Sequence, residues 1–362
     1  MIPIADPELG DEEIEAVVEC LESGQLADGP EVRKFESEFA DFCDTEFGVA
    51  ASNGTTALHA AFAALGIGPG DTVVTSPFSF IASANTIRLA GAEPVFADID
   101  PETYTLDPYA TEEAVREHEA DAILAVHLYG LPAKMGHLQD IAETHDLALV
   151  EDAAQAHGAT YDGKPVGSFG DAACFSFYPT KNMTTGEGGM VTSNRRDVAE
   201  RAASFINHGR PMAGDGCSSY DHVRLGHNFR MTSMAAAIGR VQLSRLPEYN
   251  EARRANAGYL TDRLRNADVT TPVEPEGCRH VYHQYTVRTD DRDGLKRHFE
   301  SKGVGTGVYY PTPIHEQPAY QHVEHDAPVS ERAAEEVLSL PIHPRLSGDD
   351  VRTIASAITN YE

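Results

Sequence analysis

Short apolar runs rich in β-branched residues recur through the first two-thirds of the chain. They stand at Phe47–Ala51, Thr72–Thr75, Pro94–Ala97, Ala122–Val126, Leu147–Val150, Ala173–Phe177 and Met190–Thr192. Between most of them apolar positions recur at helical spacing, as in Thr55–Leu65, Ile81–Leu89 and His137–Thr144. Strands alternating with helices imply βαβ crossovers and a largely parallel sheet covered on both faces. Past about residue 245 the texture changes. A polar helical stretch, Leu246–Arg265, is followed by an alternating strand at Val281–Arg288, a helix at Leu295–Lys302 and a strand at Val304–Tyr309. Two more helices are predicted at Ser330–Leu338 and Asp349–Ile358. Single cores stop growing below about 300 residues. The 362 residues are therefore expected to divide into a large α/β domain, 1–245, and a smaller α+β domain, 246–362.

Charge narrows the function. Asp and Glu total 57 against 28 Lys and Arg, a net −29. Such a surface repels nucleic acid and anionic lipid, so neither is expected as a partner. The acid excess, with only six lysines among the basic residues, suggests adaptation to a high-salt interior, where molar salt screens charge to within about 3 Å. A merely acidic protein of ordinary habitat is the alternative. Five cysteines at 20, 43, 174, 217 and 278 form no CxxC pair, which argues against a disulfide framework or a zinc ribbon, and no metal site is expected. No basic and apolar leader opens the chain and no run of 18 apolar residues occurs, so a cytoplasmic location is expected.

Open α/β sheets bind ligands beyond the carboxyl ends of their strands, and four polar clusters stand at such ends. Ser52-Asn53-Gly54-Thr55-Thr56 would place Gly54, Thr55 and Thr56 at a helix N-terminus, a site for phosphate or equally a plain helix cap. Pro77-Phe78-Ser79-Phe80 offers an aromatic ring that can stack on a planar group, or a core phenylalanine. Glu151-Asp152-Ala153-Ala154-Gln155-Ala156-His157-Gly158 puts a carboxylate where it could pair with a protonated ring nitrogen, with Gln155 in reach of a ring oxygen; a helix-capping Asp is the bland alternative. In the stretch from Phe175 to Gly189, Ser176 could add a phosphate contact. Lys181 stands there between apolar and glycine residues, where desolvation would free its amine for Schiff-base chemistry. A phosphate site, a stacking ring, a carboxylate and a lysine are the groups a pyridoxal-phosphate site needs. No GxGxxG follows the first strand, which disfavours a dinucleotide-binding dehydrogenase.

These residues lie in longer motifs: IPIADPELGDEEIEAVVECLESGQLADGP, SNGTTALHAA, EDAAQAHGA, FSFYPTKNMTTGEGGMV, GHNFRMTSMAAAIGRVQL, YYPTPIHEQPAY and LSLPIHP. In them the chain resembles the sugar aminotransferases of the DegT/DnrJ/EryC1/StrS family nearly end to end. The resemblance implies an aspartate-aminotransferase-like fold of pyridoxal-phosphate fold type I, with a mostly parallel seven-stranded sheet, and a homodimer with shared active sites. It implies pyridoxal 5′-phosphate as cofactor, bound as a Schiff base to Lys181. Asp152 would meet the pyridine nitrogen, Gln155 the ring hydroxyl and Phe80 the ring face. Gly54, Thr55 and Ser176 would hold the phosphate. Asn228 would reach the phosphate of the neighbouring subunit; read from the residues alone it is a loop-to-helix cap. The implied reaction moves an amino group from L-glutamate to a nucleotide-linked ketosugar, in the family's commonest use a 4-keto-6-deoxyhexose. Tyr309, Tyr310, His315 and Gln317 would wall the sugar pocket, with His208 and Gly209 beside them. Lys181 argues for transamination over the dehydration carried out by relatives with histidine there. A cyclitol aminotransferase, a dehydrating relative and a non-enzymatic regulator remain as alternatives. Gln25 and His227, where relatives often carry aromatic residues, leave the identity of the sugar open.

Overall fold

The computed structural model describes residues 1–211, 218, 220–323 and 325–361. Helices α1 (Asp11–Ser23) and α2 (Pro30–Phe42) lead into β1 (Phe47–Ala51). Helix and strand then alternate through α3 (Gly54–Leu65), β2 (Thr72–Thr75), α4 (Ala82–Ala90), β3 (Glu93–Phe96), α5 (Pro108–His118), β4 (Ala122–Val126), α6 (Met135–His145) and β5 (Ala148–Asp152). Two short strands, β6 (Thr160–Tyr161) and β7 (Lys164–Pro165), precede β8 (Ala172–Ser176), β9 (Gly189–Ser193) and α7 (Arg196–Ile206). The seven runs expected as strands are β1 to β5, β8 and β9, and they form one sheet in the order β1-β9-β8-β5-β4-β2-β3. Pairings among β3, β2, β4, β5 and β8 are parallel, whereas β9 is antiparallel to β8 and β1. The reversal has a local cause. A loop and no helix joins β8 to β9, so the chain returns beside its predecessor.

Alternation along the strands feeds two cores. Ala122 and Leu124 of β4 face a cluster with Leu58, Phe62, Ile87 and Phe205 from α3, α4 and α7. Ile123 and Ala125 face the other way, against Val115, Leu138 and Leu149. Burial on both faces is what the unbroken apolar runs require.

The C-terminal part departs from expectation in several places. Helix α8 runs from Ser233 to Leu264, starting well before Leu246; the Thr232 hydroxyl caps it by accepting from the Ala235 N–H at 3.2 Å. Pro247 lies inside this helix. After β10 (Cys278–Arg279), the strand expected from Val281 begins only at Tyr285, as β11 (Tyr285–Arg288). Helix α9 (Arg292–Ser301) follows. The expected strand at Val304–Tyr309 is not regular: Val304 makes a single bridge to Ile2, and Gly307 another to Ser339. Helix α10 (Pro328–Glu336) stops two residues short of Leu338, because Val337 turns into β12 (Val337–Leu340), which pairs antiparallel with β11. Helix α11 (Gly348–Thr359) completes a separate apolar cluster with Leu260, Tyr285, Phe299, Leu338 and Ile354. Cys20, Cys43, Cys174 and Cys278 are free thiols, and Cys217 lies outside the described residues. No helix among the described residues is long and apolar enough to cross a membrane.

Candidate active site

The ends of β1, β2, β5 and β8 point toward one cavity of about 760 Å³. Gly54, Thr55, Phe80, Asp152, Gln155, Ser176, Lys181 and Tyr309 all line it. Its chemistry is best seen residue by residue.

Asp152 is the last residue of β5 and is buried. Its Oδ2 accepts from the Ser83 hydroxyl at 2.7 Å, and its Oδ1 from the Ala154 N–H at 3.2 Å. Ser79 lies 3.0 Å beyond Ser83, one helical turn before it. Side chains alternate along a strand, so the preceding Glu151 points to the opposite face. There its carboxylate accepts from the N–H groups of Gly167, Phe169 and Gly170 and from His127 Nε2. His127 Nδ1 accepts from the Ala133 N–H, so the neutral tautomer with a proton on Nε2 satisfies every partner. Burial alone would raise the Glu151 pKa, but these donors hold it below the usual value. This network fixes the end of β5, and Asp152 with it.

Lys181 sits in the loop between β8 and β9. Its neighbour Asn182 is buried and donates to the Val281 carbonyl at 3.0 Å and to Asn250 Oδ1 at 2.8 Å. Thr184 and Thr185 both donate to the Phe177 carbonyl, which closes the loop. The lysine amine is thereby held at a set position. Burial lowers its pKa to about 8 although Asp152 pulls the other way. Buried His157 is pushed to about 3 by burial and the Lys181 charge, and His283, which lines the cavity, falls in the same direction for the same causes. Both histidines are neutral at ordinary pH.

Gly54 opens α3 and packs directly on Ser176. A Cβ there would lie 2.7 Å from the Ser176 Cβ, so only glycine permits this approach. Asn53 caps the helix, and the Thr56 hydroxyl turns back to the Asn53 backbone. Thr56 thus serves the cap, while Thr55 lines the cavity, next to the free N–H groups of the first helical turn. An anion is favoured there by the helix terminus. Gln155 Oε1 accepts from the Tyr129 N–H at 2.7 Å, and its Nε2 donates to the Tyr310 hydroxyl at 3.2 Å. Phe80 is 56% exposed, and its ring lies 6.1 Å from that of Tyr310.

Five expected residues do not line this cavity: His208, Gly209, Asn228, His315 and Gln317. His208 is exposed, and its carbonyl accepts from His222 Nδ1. Asn228 bridges Asn207 beside the α7 terminus. His315 is fully buried and faces His325 and Glu331. Tyr310, expected as a wall of the sugar pocket, lines the cavity, as do Ser83, His283 and Gln284, which the sequence did not single out. The set as a whole suits a phosphorylated aromatic aldehyde: an anion site, a carboxylate and an amine share one cavity.

A model of the DegT/DnrJ/EryC1/StrS aminotransferase family matches residues 7–359. A pleiotropic regulatory protein of Geobacillus stearothermophilus is 41% identical, covering 95% of this chain and 92% of the relative. A UDP-N-acetyl-3-dehydro-alpha-D-glucosamine 3-aminotransferase of Acidithiobacillus ferrooxidans is 38% identical, covering 97% and 94%. The crystal structure of Streptomyces venezuelae DesV in complex with a ketimine intermediate superimposes with a TM-score of 0.91 at 38% identity, covering 96% of this chain and 93% of that one.

Proposed function

Since this chain belongs to the DegT/DnrJ/EryC1/StrS aminotransferase family, we propose that it uses pyridoxal 5′-phosphate beside Lys181 to move an amino group from L-glutamate to a nucleotide-linked ketosugar. The observation that carries the reading is a desolvated lysine amine sharing a cavity with a buried, hydrogen-bonded carboxylate. Gly54, Thr55 and Ser176 would receive the phosphate, Asp152 the pyridine nitrogen, Gln155 the ring hydroxyl and Phe80 the ring face. When bound, the cofactor supplies an aldehyde that exchanges amino groups and a ring that takes up the electron pair released at the amino-bearing carbon.

The residues supply the rest. Asp152 keeps a proton on the ring nitrogen by placing a negative charge opposite it. Lys181 holds the cofactor, and once displaced its amine carries the proton off the amino-bearing carbon of glutamate and returns a proton in the second half-reaction. An amine with a pKa near 8 can do both near neutral pH. Phe80, Tyr309 and Tyr310 give the mouth an aromatic wall, which suits a sugar face and the methyl of a 4-keto-6-deoxyhexose. The homodimer belongs to the same proposal. Val223 and Leu225, near Asn228, stand exposed, as residues awaiting a partner surface do.

The test is spectroscopic. Protein incubated with pyridoxal 5′-phosphate should absorb visible light, and borohydride should fix the cofactor on a peptide containing Lys181. Lys181→Ala should abolish both. Glutamate should bleach the absorbance, and a nucleotide-linked 4-ketosugar should restore it. Restoration by a 3-ketosugar or a keto-inositol alone would move the acceptor. Binding without any bleaching by glutamate would leave a cofactor-binding regulator and end the transaminase reading.

A further inference from the structure

Outside the lining of the cofactor cavity, His315, His325 and Glu331 each bring one ligand atom within 4.8 Å of the others. His315 lies in a turn after the aromatic wall, His325 in the following loop and Glu331 in the first turn of α10. His315 is fully buried, yet among the described residues neither ring nitrogen has a hydrogen-bond partner. Leaving such a group unsatisfied costs about 1–3 kcal/mol, so an orphaned buried imidazole calls for a partner. Its Nε2 is 3.4 Å from the Glu331 carboxylate, and its ring is 4.1 Å from that of His325. His325 donates from Nδ1 to the Val323 carbonyl at 3.1 Å. That bond orients the ring and leaves the Nε2 lone pair free, which is how metal-bound histidines are commonly prepared.

We propose that His315 Nε2, His325 Nε2 and Glu331 form a zinc site that ties the turn at Ile314–Glu316 and His325 to the start of α10. Two imidazoles and one carboxylate are a borderline donor set that favours zinc over magnesium or calcium. The three ligands leave a fourth position for water. Sequence spacing gave no sign of the site, because its histidines and glutamate share no short metal motif and meet only when the loop folds over α10. The site is independent of the cofactor chemistry. Its role is to hold the segment that follows Tyr309 and Tyr310.

The cofactor-loaded full chain, stripped with chelator and then incubated with zinc chloride, should retain about one zinc per chain through gel filtration. Cobalt substituted for zinc should give the intense visible bands of a tetrahedral site. His325→Ala and Glu331→Gln change exposed or half-exposed side chains, so both should fold, with unchanged cofactor absorbance as the check. Each should bind zinc at least about 100-fold more weakly. No retained zinc in the wild type, or equal retention by both variants, overturns the proposal. Diffuse binding of several zinc ions by the acidic surface would show as retention that neither variant alters, and it counts against the site.

Discussion

The chemistry of this chain depends on two charges whose values burial and hydrogen bonding decide. Lys181 titrates near pH 8 in the folded chain and near its ordinary 10.5 when unfolded. Its folded pKa is depressed, so between those values the unfolded chain binds more protons, and cofactor-free protein gains stability as pH rises through that window. Below it, the buried ammonium costs up to about 3 kcal/mol. Lys181→Met should therefore raise the stability of cofactor-free protein near pH 7 and flatten its rise from pH 8 to 10.5. Urea unfolding at pH 7 and pH 10 measures both, and an equal rise in the variant would show that other groups cause it. Asp152 depends on Ser83. Hydrogen bonds to charged groups are worth about 1.5–3 kcal/mol, so Ser83→Ala should weaken pyridoxal 5′-phosphate binding about 10-fold or more by fluorescence titration. Ser83→Thr, which keeps a hydroxyl, should recover part of that loss. A purely structural role for Ser83 would show as lost stability with cofactor affinity unchanged.

At the scale of elements, the site is a meeting of one helix N-terminus with one strand end. Gly54 permits α3 to touch β8 at Ser176, and Gly189 on β9 likewise packs against the Asn53 carbonyl. Gly54→Ala would place its Cβ 2.7 Å from Ser176, closer than two carbons tolerate, so helix and strand must part. The phosphate donors then separate. The expected result is weaker cofactor binding, about 10-fold or more, with inorganic phosphate competing less well, while the unfolding midpoint falls modestly. Unchanged affinity would remove Gly54 and α3 from the anion site.

The same elements explain what a reader of the sequence can see. The large sheet was visible because strands buried on both faces must be continuous apolar runs, and because its ligand groups lie at the strand ends. Gly54, Asp152, Ser176 and Lys181 each follow or end such a run. Ser83 and His283 were not visible as members of the cavity. They reach it from distant segments, and nothing local marks a serine that supports a carboxylate 69 residues away. The expected start of helix α8 at Leu246 is too late because the texture changes only near residue 245, whereas packing against α1 and α2 carries the helix back to Ser233. The irregular stretch at 304–309 has strand-like composition but pairs only at single bridges, Val304 with Ile2 and Gly307 with Ser339.

Over the whole molecule the excess of acid sets the response to salt, and two opposing effects must be weighed. Arginines tie helices together: Arg240 of α8 reaches Glu31 and Glu38 of α2, and Arg245 reaches Glu12 of α1. Salt weakens such exposed pairs, but each is worth only about 0–1 kcal/mol. Against them stands a net charge of −29 confined to one folded chain. Its self-repulsion falls as the screening length drops from about 10 Å at 0.1 M to about 3 Å at 1 M. Unfolding moves the charges apart, so repulsion disfavours the folded state, and screening should help it more than the lost pairs hurt. The melting midpoint of cofactor-loaded protein is expected to climb from low to molar KCl, most steeply at the low end, where screening changes fastest. Neutral sucrose at equal osmolality should not reproduce that steep initial rise, which separates charge screening from solvent exclusion. A midpoint that falls with KCl would mean the ion pairs dominate, and adaptation to a high-salt interior would have to be given up.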